Sequence, residues 1–304
     1  MSMTSPPDPP LVSIGLPVFN EEKDIRVAMD SLLGQTYRRI ELVVSDNAST
    51  DRTGDICRDY AARDSRIRYV RQSRNLGMTR NQNIVVELAS GDYFMWGSGN
   101  DRWQPQFIEK CLPALLDDDS VVLCYPIIEK MDAEGRPAEE RYPIRLDTRG
   151  MGISSRANLV AWGLSSCELF YGLHRLIVLK RTNLFRNVIS PDNCLVFELA
   201  LHGAFAHVPL PLFTMRMPPP SSRHLRDSIE AYRSVFYPED RKRFRLWLTH
   251  WRFLYEHLAA VCRVPGVPMR RKPILLLSAL FAVLARKGKH MIHDLIEAVG
   301  LPRP

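Results

Sequence analysis

The run VSIGLPVFNEE, Val12 to Glu22, decides the fold. Its first part, Val12 to Val18, is almost continuously apolar, the composition of a strand buried on both faces. Glu21 and Glu22 then open a helix whose apolar residues Ile25, Ala28, Met29, Leu32 and Leu33 follow helical spacing. Carboxylates suit that position because the backbone dipole is positive at a helix start. Outward from this run the same couplet recurs. Ile40–Ser45 leads into NASTD, where Ser49, Thr50 and Asp51 are candidate caps for a helix from Arg52 to Ala62. Ile67–Gln72 leads through RNLG to a helix ending at Leu88. Tyr93–Trp96 leads through GSGND to a helix over Pro105–Leu116, and Val121–Tyr125 is a further strand.

Strands joined through helices need crossover connections, so the sheet is mostly parallel and covered on both faces. Ligands of such sheets bind beyond the carboxyl ends of the strands. Those ends are PVFNEE, SDNASTD, RNLG and GSGND, four polar loops on one edge. No G-x-G-x-x-G follows the first strand, and no G-x-x-x-x-G-K-[ST] occurs, which disfavours a dinucleotide dehydrogenase and a P-loop NTPase.

The 304 residues carry a net charge of +7, unevenly placed. From Arg241 onward there are 13 Lys and Arg against 3 Asp and Glu; the rest holds 28 against 31. Basicity therefore belongs to the tail, and an anionic membrane surface fits it better than nucleic acid, for which no recognition motif is present. The run ILLLSALFAVLA, Ile274 to Ala285, is too short to span a bilayer. It suits either a helical cap packed on the main domain or an interfacial helix. The scattered cysteines (Cys57, Cys111, Cys124, Cys167, Cys194, Cys262) have no metal-ligand spacing and read as reduced structural thiols. No signal-peptide pattern opens the chain, which predicts a cytoplasmic protein.

Three motifs in order, GLPVFNEE, ELVVSDNASTDRT and RNLGMTRNQN, each after a predicted strand, resemble the family-2 glycosyltransferases of GT-A fold, nearest the bacterial members that modify surface polysaccharides and lipids. The resemblance covers Leu11 to Arg223. It implies a Rossmann-like GT-A domain over residues 11–223, with a nucleotide half (11–125) and an acceptor half (126–223). A disordered tail (1–10) precedes it and a basic helical extension (224–304) follows. Pro17, Phe19 and Glu21 would cradle base and ribose, Asp46 would bond the base, and Arg74 would reach the nucleotide. An aromatic ring stacks on a base and a carboxylate accepts from ribose hydroxyls. Capping is the competing role for Asp46 and Asp51, and packing for Phe19.

The fourth loop departs from the family. Where a run of aspartates normally holds a divalent ion against the sugar diphosphate, this chain has Gly99, Asn100 and Asp101. Asn100 stays with the nucleotide set and Asp101 is the remaining metal ligand for magnesium or manganese. Further on, FYGLHRLIVLKRTNLF and SPDNCLVFELALHGAF resemble the acceptor half, where Asp192 would be the general base; a helix N-cap is its other role. Glu198 reads as structural and His174 as a packing residue. In LFTMRMPPPSSR, Arg216 is a candidate diphosphate contact, while Pro218 stands where the family often has a histidine.

The resemblance implies transfer of a sugar from a nucleoside-diphosphate sugar to a hydroxyl of a saccharide or lipid-linked acceptor, with inversion. The place of work would be the inner face of the cell membrane, in cell-surface polysaccharide or glycolipid synthesis. A binding module that has lost turnover is the alternative left by the reduced acidic loop. A nucleotidyltransferase is disfavoured, because the loop after the first strand is acidic where it should grip phosphate.

Overall fold

The computed structural model describes residues 8–138, 145–163, 168–217 and 248–298. Cys167, Pro218 and the 223/224 domain boundary lie outside them. The N-terminal half alternates strictly: β1 (Val12–Val18), α1 (Ile25–Leu33), β2 (Ile40–Asp46), α2 (Thr53–Arg63), β3 (Ile67–Arg71), α3 (Met78–Leu88) and β4 (Tyr93–Trp96). Next come β5 (Arg102–Trp103), α4 (Phe107–Leu116), β6 (Val121–Met131), β7 (Pro137–Ala138) and α5 (Ile153–Gly163). A 3-10 turn (Glu168–Tyr171) precedes β8 (Leu173–Arg175), α6 (Leu176–Leu179), α7 (Pro191–His202) and β9 (Ala204–Arg216). The described chain ends with α8 (Thr249–Arg263) and α9 (Lys272–Ala298).

One sheet runs β3-β2-β1-β4-β8-β6-β9-β5, with β7 beside β6. The long ladders, β1 with β2, β2 with β3 and β6 with β9, are parallel, as expected. The antiparallel pairings are short: β8 lies between β4 and β6, and β5 pairs with β9. Two apolar layers sandwich the sheet. Ile14, Leu16, Met29 and Phe107 belong to one, and Phe94, Trp96, Leu195 and Phe205 to the other.

Three expectations need correction. The first helix starts at Ile25, not at Glu21 and Glu22, because both acids sit in the preceding loop and Glu21 C=O accepts the Ile25 N–H at 2.9 Å. The 125/126 half-boundary falls inside β6, which continues through Pro126 to Met131. Of the loose tail expected over 1–10, residues 8–10 are tied down: Asp8 pairs with Arg39 at 3.0 Å and Tyr37 donates its hydroxyl to Pro10 C=O.

Strand direction positions the site. Since β6 is antiparallel to β8, and β8 to β4, the carboxyl ends of β1, β2, β3, β4, β6 and β9 share one edge. Helix α7 leads directly into β9 through Gly203, so it runs back over the sheet and its N-terminus returns to that same edge. The 3-10 turn entering the reversed strand β8 also lies there.

Candidate functional site

Three of the four loops at this edge are laced together by side chains that satisfy one another's polar groups. Asn20, held at φ +56°, accepts the Thr50 N–H on its own Oδ1 (2.8 Å), while its N–H donates to Ser49 Oγ at 3.0 Å. Glu21 N–H donates to Thr53 Oγ1 at 2.7 Å and Glu22 N–H to Asp51 Oδ2 at 3.1 Å. Asp51 Oδ1 also accepts the Thr53 N–H at 2.9 Å, so it fixes the start of α2. Asn47 links the second loop to the third, donating to Asn75 Oδ1 and accepting the Leu76 N–H, both at 2.8 Å. Loops with their own hydrogen bonds made hold a fixed shape before any ligand arrives.

Phe19 stands 41% exposed in the first loop, two residues after half-buried Pro17. Asp46 is fully buried. Its Oδ1 accepts the Ser49 N–H at 2.8 Å, and its Oδ2 accepts the Tyr69 hydroxyl at 2.8 Å and Arg71 Nη1 at 2.7 Å. Arg71 also donates to Ser49 C=O at 2.8 Å and is the exposed member of this group, at 42%. Asp46 thus anchors the second loop and Arg71, rather than capping α2. Arg71 and Tyr69 escaped sequence reading, although their i, i+2 spacing on β3 puts both on one face and the register sets Arg71 opposite Asp46. Arg74 lies exposed in the third loop.

The fourth loop and the first form an acidic cluster. Burial, then Asp24, Asp101 and Asp51, push the Glu21 carboxyl up to about 7. Burial pushes Asp101 up to about 6 despite bonds from the Arg216 amide and the Ser98 hydroxyl. Gly99 has a local reason to lack a side chain: a Cβ there would lie 2.8 Å from Glu21 Cγ. Arg216, at the carboxyl end of β9, donates its N–H to Asp101 Oδ1 at 2.8 Å, and its Nη2 lies 3.5 Å from Asp24.

Do these residues fit the divalent ion that the family resemblance implies? Among the described residues no group of three metal-type side chains occurs. Yet Glu21 and Asp101 resist ionisation through burial, and neighbouring acids raise Glu21 further, while the charge of Arg216 lowers Asp101 only in part. Magnesium-type ions accept one or two carboxylates when substrate phosphates complete the shell. The residues fit an ion that arrives with a diphosphate, which Asp101 would hold with Asn100 beside it.

The second cluster surrounds Asp192 in the first turn of α7, after Pro191 at the helix start and Ser190 in the left-handed region at φ +48°. Burial raises the Asp192 carboxyl, and Glu168 raises it further, while Lys287 of α9 lowers it. Glu168 is itself paired with Lys130 at 2.8 Å, at the end of β6. Lys130, Glu168 and Lys287 had no local signal in the sequence, because their partners come from distant elements. Glu198, on the same helix, is structural as expected: it pairs with Arg186, which reaches Glu256 of α8 at 3.0 Å. His174 is packing, as expected. It is fully buried, edge-on to Trp96 at 5.3 Å, bonded to Phe170 C=O at 2.7 Å, and burial pulls its pKa down to about 4.

The glycosyl transferase family 2 model matches residues 13–166, just over half of the chain, and the chain belongs to this family. Among curated relatives, the glycosyltransferase EpsJ of Bacillus subtilis is 41% identical over 92 residues, 30% of this chain and 26% of that protein. Chondroitin synthase of Escherichia coli is 32% identical over 133 residues, 44% of this chain and 19% of the synthase. The chain thus spans well under half the length of the relatives it matches. Among solved structures, S. aureus TarS 1–349 in complex with UDP-GlcNAc superposes with a TM-score of 0.65 at 15% identity, over 95% of this chain and 80% of that one. The mannosyltransferase PcManGT of Pyrobaculum calidifontis, in complex with GDP-Man and Mn2+, gives 0.55 at 17%, over 95% and 79%. The architecture is that of the GT-A fold.

Proposed function

We propose that this chain transfers a sugar from a nucleoside-diphosphate sugar to an acceptor hydroxyl with inversion at the anomeric carbon. One observation carries the reading: strand direction brings the four nucleotide-type loops and the N-terminus of α7, with Asp192, to a single edge. Phe19 and Pro17 would pack on the base, Glu21 and Arg74 would bind the nucleotide, and Asp46 would act on the base side by holding the second loop and Arg71. Nucleotide sugars bound by TarS and PcManGT support the donor class. Asp192 would take the proton as the acceptor oxygen bonds to the anomeric carbon, while the bond from that carbon to the diphosphate oxygen breaks on the opposite face. A carboxyl raised by burial is the stronger base for that step once ionised. A divalent ion at Asp101 would neutralise charge on the leaving diphosphate, and Arg216 is the diphosphate contact from the protein.

The basic C-terminal helices favour a peripheral place on the inner face of the cell membrane, with a saccharide or lipid-linked acceptor in surface polysaccharide or glycolipid synthesis. The test is turnover of a panel of nucleoside-diphosphate sugars, with the anomeric configuration of the product read by NMR. A single inverted anomer is expected. Retained configuration would overturn the role of Asp192, and donor binding without any turnover would favour the binding-module reading.

A further inference from the structure

Helix α9 is apolar on two opposite faces. Its inward face is packed: Leu275, Ala279, Ala282 and Val283 are 4% exposed or less. The opposite face carries Ile274, Leu277, Phe281, Leu284, Ile292 and Leu295, between 38% and 62% exposed. At about 100° per residue these six fall within a stripe roughly 100° wide, along a helix roughly 40 Å long. A soluble surface helix normally puts charge there, so a row of large apolar side chains marks an interaction face.

The surrounding charge says what covers it. Arg270 and Arg271 stand exposed where the helix begins, and Lys289 is exposed beside the stripe. Two of the three acids in residues 249–298 are buried instead: Glu256 pairs with Arg186 and Arg263, and Asp294 pairs with His250. A second copy of this chain would bring like charges together. Trp162 of α5 is half exposed and donates to Ser278 Oγ at 3.0 Å, setting an amphipathic ring beside the stripe. No helix among the described residues is long and apolar enough to cross a membrane.

We infer that the outer face of α9, from Ile274 to Leu295, is the surface by which this protein lies on an anionic lipid bilayer, with Arg270, Arg271 and Lys289 at the headgroups. The inference rests on the peripheral placement proposed above and assigns it to one face. It is tested by flotation of the full chain with vesicles of equal parts phosphatidylglycerol and phosphatidylcholine, and with phosphatidylcholine alone. The wild type should float with the anionic vesicles, and the Trp162 emission should shift to the blue, read as the difference from Trp162→Phe. Leu277→Ser combined with Phe281→Ser should lower partitioning about ten-fold or more, with thermal melting and nucleotide affinity unchanged. Wild type that stays with neither vesicle defeats both the placement and the face. Wild type that floats, with the double variant floating equally, defeats the face alone. A dimer in solution that the double variant dissociates would instead assign the stripe to a second copy.

Discussion

Two carboxylate clusters sit on one edge of the sheet and are built in opposite ways. Around Glu21 negative charge is concentrated, since Asp24, Asp101 and Asp51 all add to the effect of burial, and Arg216 offsets it only at Asp101, through its amide and its charge. Around Asp192 the charge is balanced from two sides, by Lys287 directly and by Lys130 through Glu168. An unbalanced acidic pocket is suited to receive a cation with a phosphate ligand. A carboxylate raised by burial, with an acid and a lysine opposing each other beside it, is suited to exchange a proton.

The strongest way to break this comparison is Asp192→Asn. Transfer should fall about a hundred-fold or more, the usual scale for losing a general base, while nucleotide affinity stays within a few-fold. Near-normal transfer would remove Asp192 from the mechanism. Asp46→Ala comes next. It leaves the Tyr69 hydroxyl, the Ser49 amide and Arg71 without their acceptor, and should lower stability by about 1–3 kcal/mol and weaken nucleotide binding with it. Denaturant titration with and without nucleotide separates the two, and Arg71→Ala should reproduce part of the affinity loss with less loss of stability. The smallest effect sharpens the balanced cluster. Lys287 lowers the Asp192 carboxyl, so Lys287→Met should raise it. Activity needs the ionised base and is lost as pH falls through its pKa, so the acid limb of the pH–rate profile should move to higher pH. An unmoved limb would separate Lys287 from the base.

The first four strands and their loops were legible because each is a short apolar run ending in polar residues, and parallel topology then puts those ends together. The second half was harder to read. Strand β9 contains Pro209 and Pro211, which remove ladder donors, and its pairing with β6 shifts register where Ile127 meets Pro211. Strands β5 and β8 are two and three residues long, below any periodicity signal. In the candidate site, Phe19, Glu21 and Asp101 were marked by the resemblance of the loop motifs to family-2 glycosyltransferases, and parallel topology put those loops on one edge. Arg71, Lys130 and Lys287 were not, since each acts through a partner that only the folded sheet or the docked helix α9 brings near. In the tail, α9 packs on one face, as a helical cap would, and leaves the other apolar and exposed.

The acidic cluster carries the central claim, that this edge binds a nucleoside-diphosphate sugar whose charge a divalent ion helps to hold. Calorimetric titration of a donor panel, in chelator and in millimolar magnesium or manganese, tests it on wild type and Asp101→Ala. The expected result is that a donor binds weakly in chelator, gains about ten-fold or more with metal, and loses that gain in Asp101→Ala. Identical affinity in chelator and metal, with Asp101→Ala binding normally, would contradict the metal role, and no donor bound under either condition would contradict the account of the whole edge.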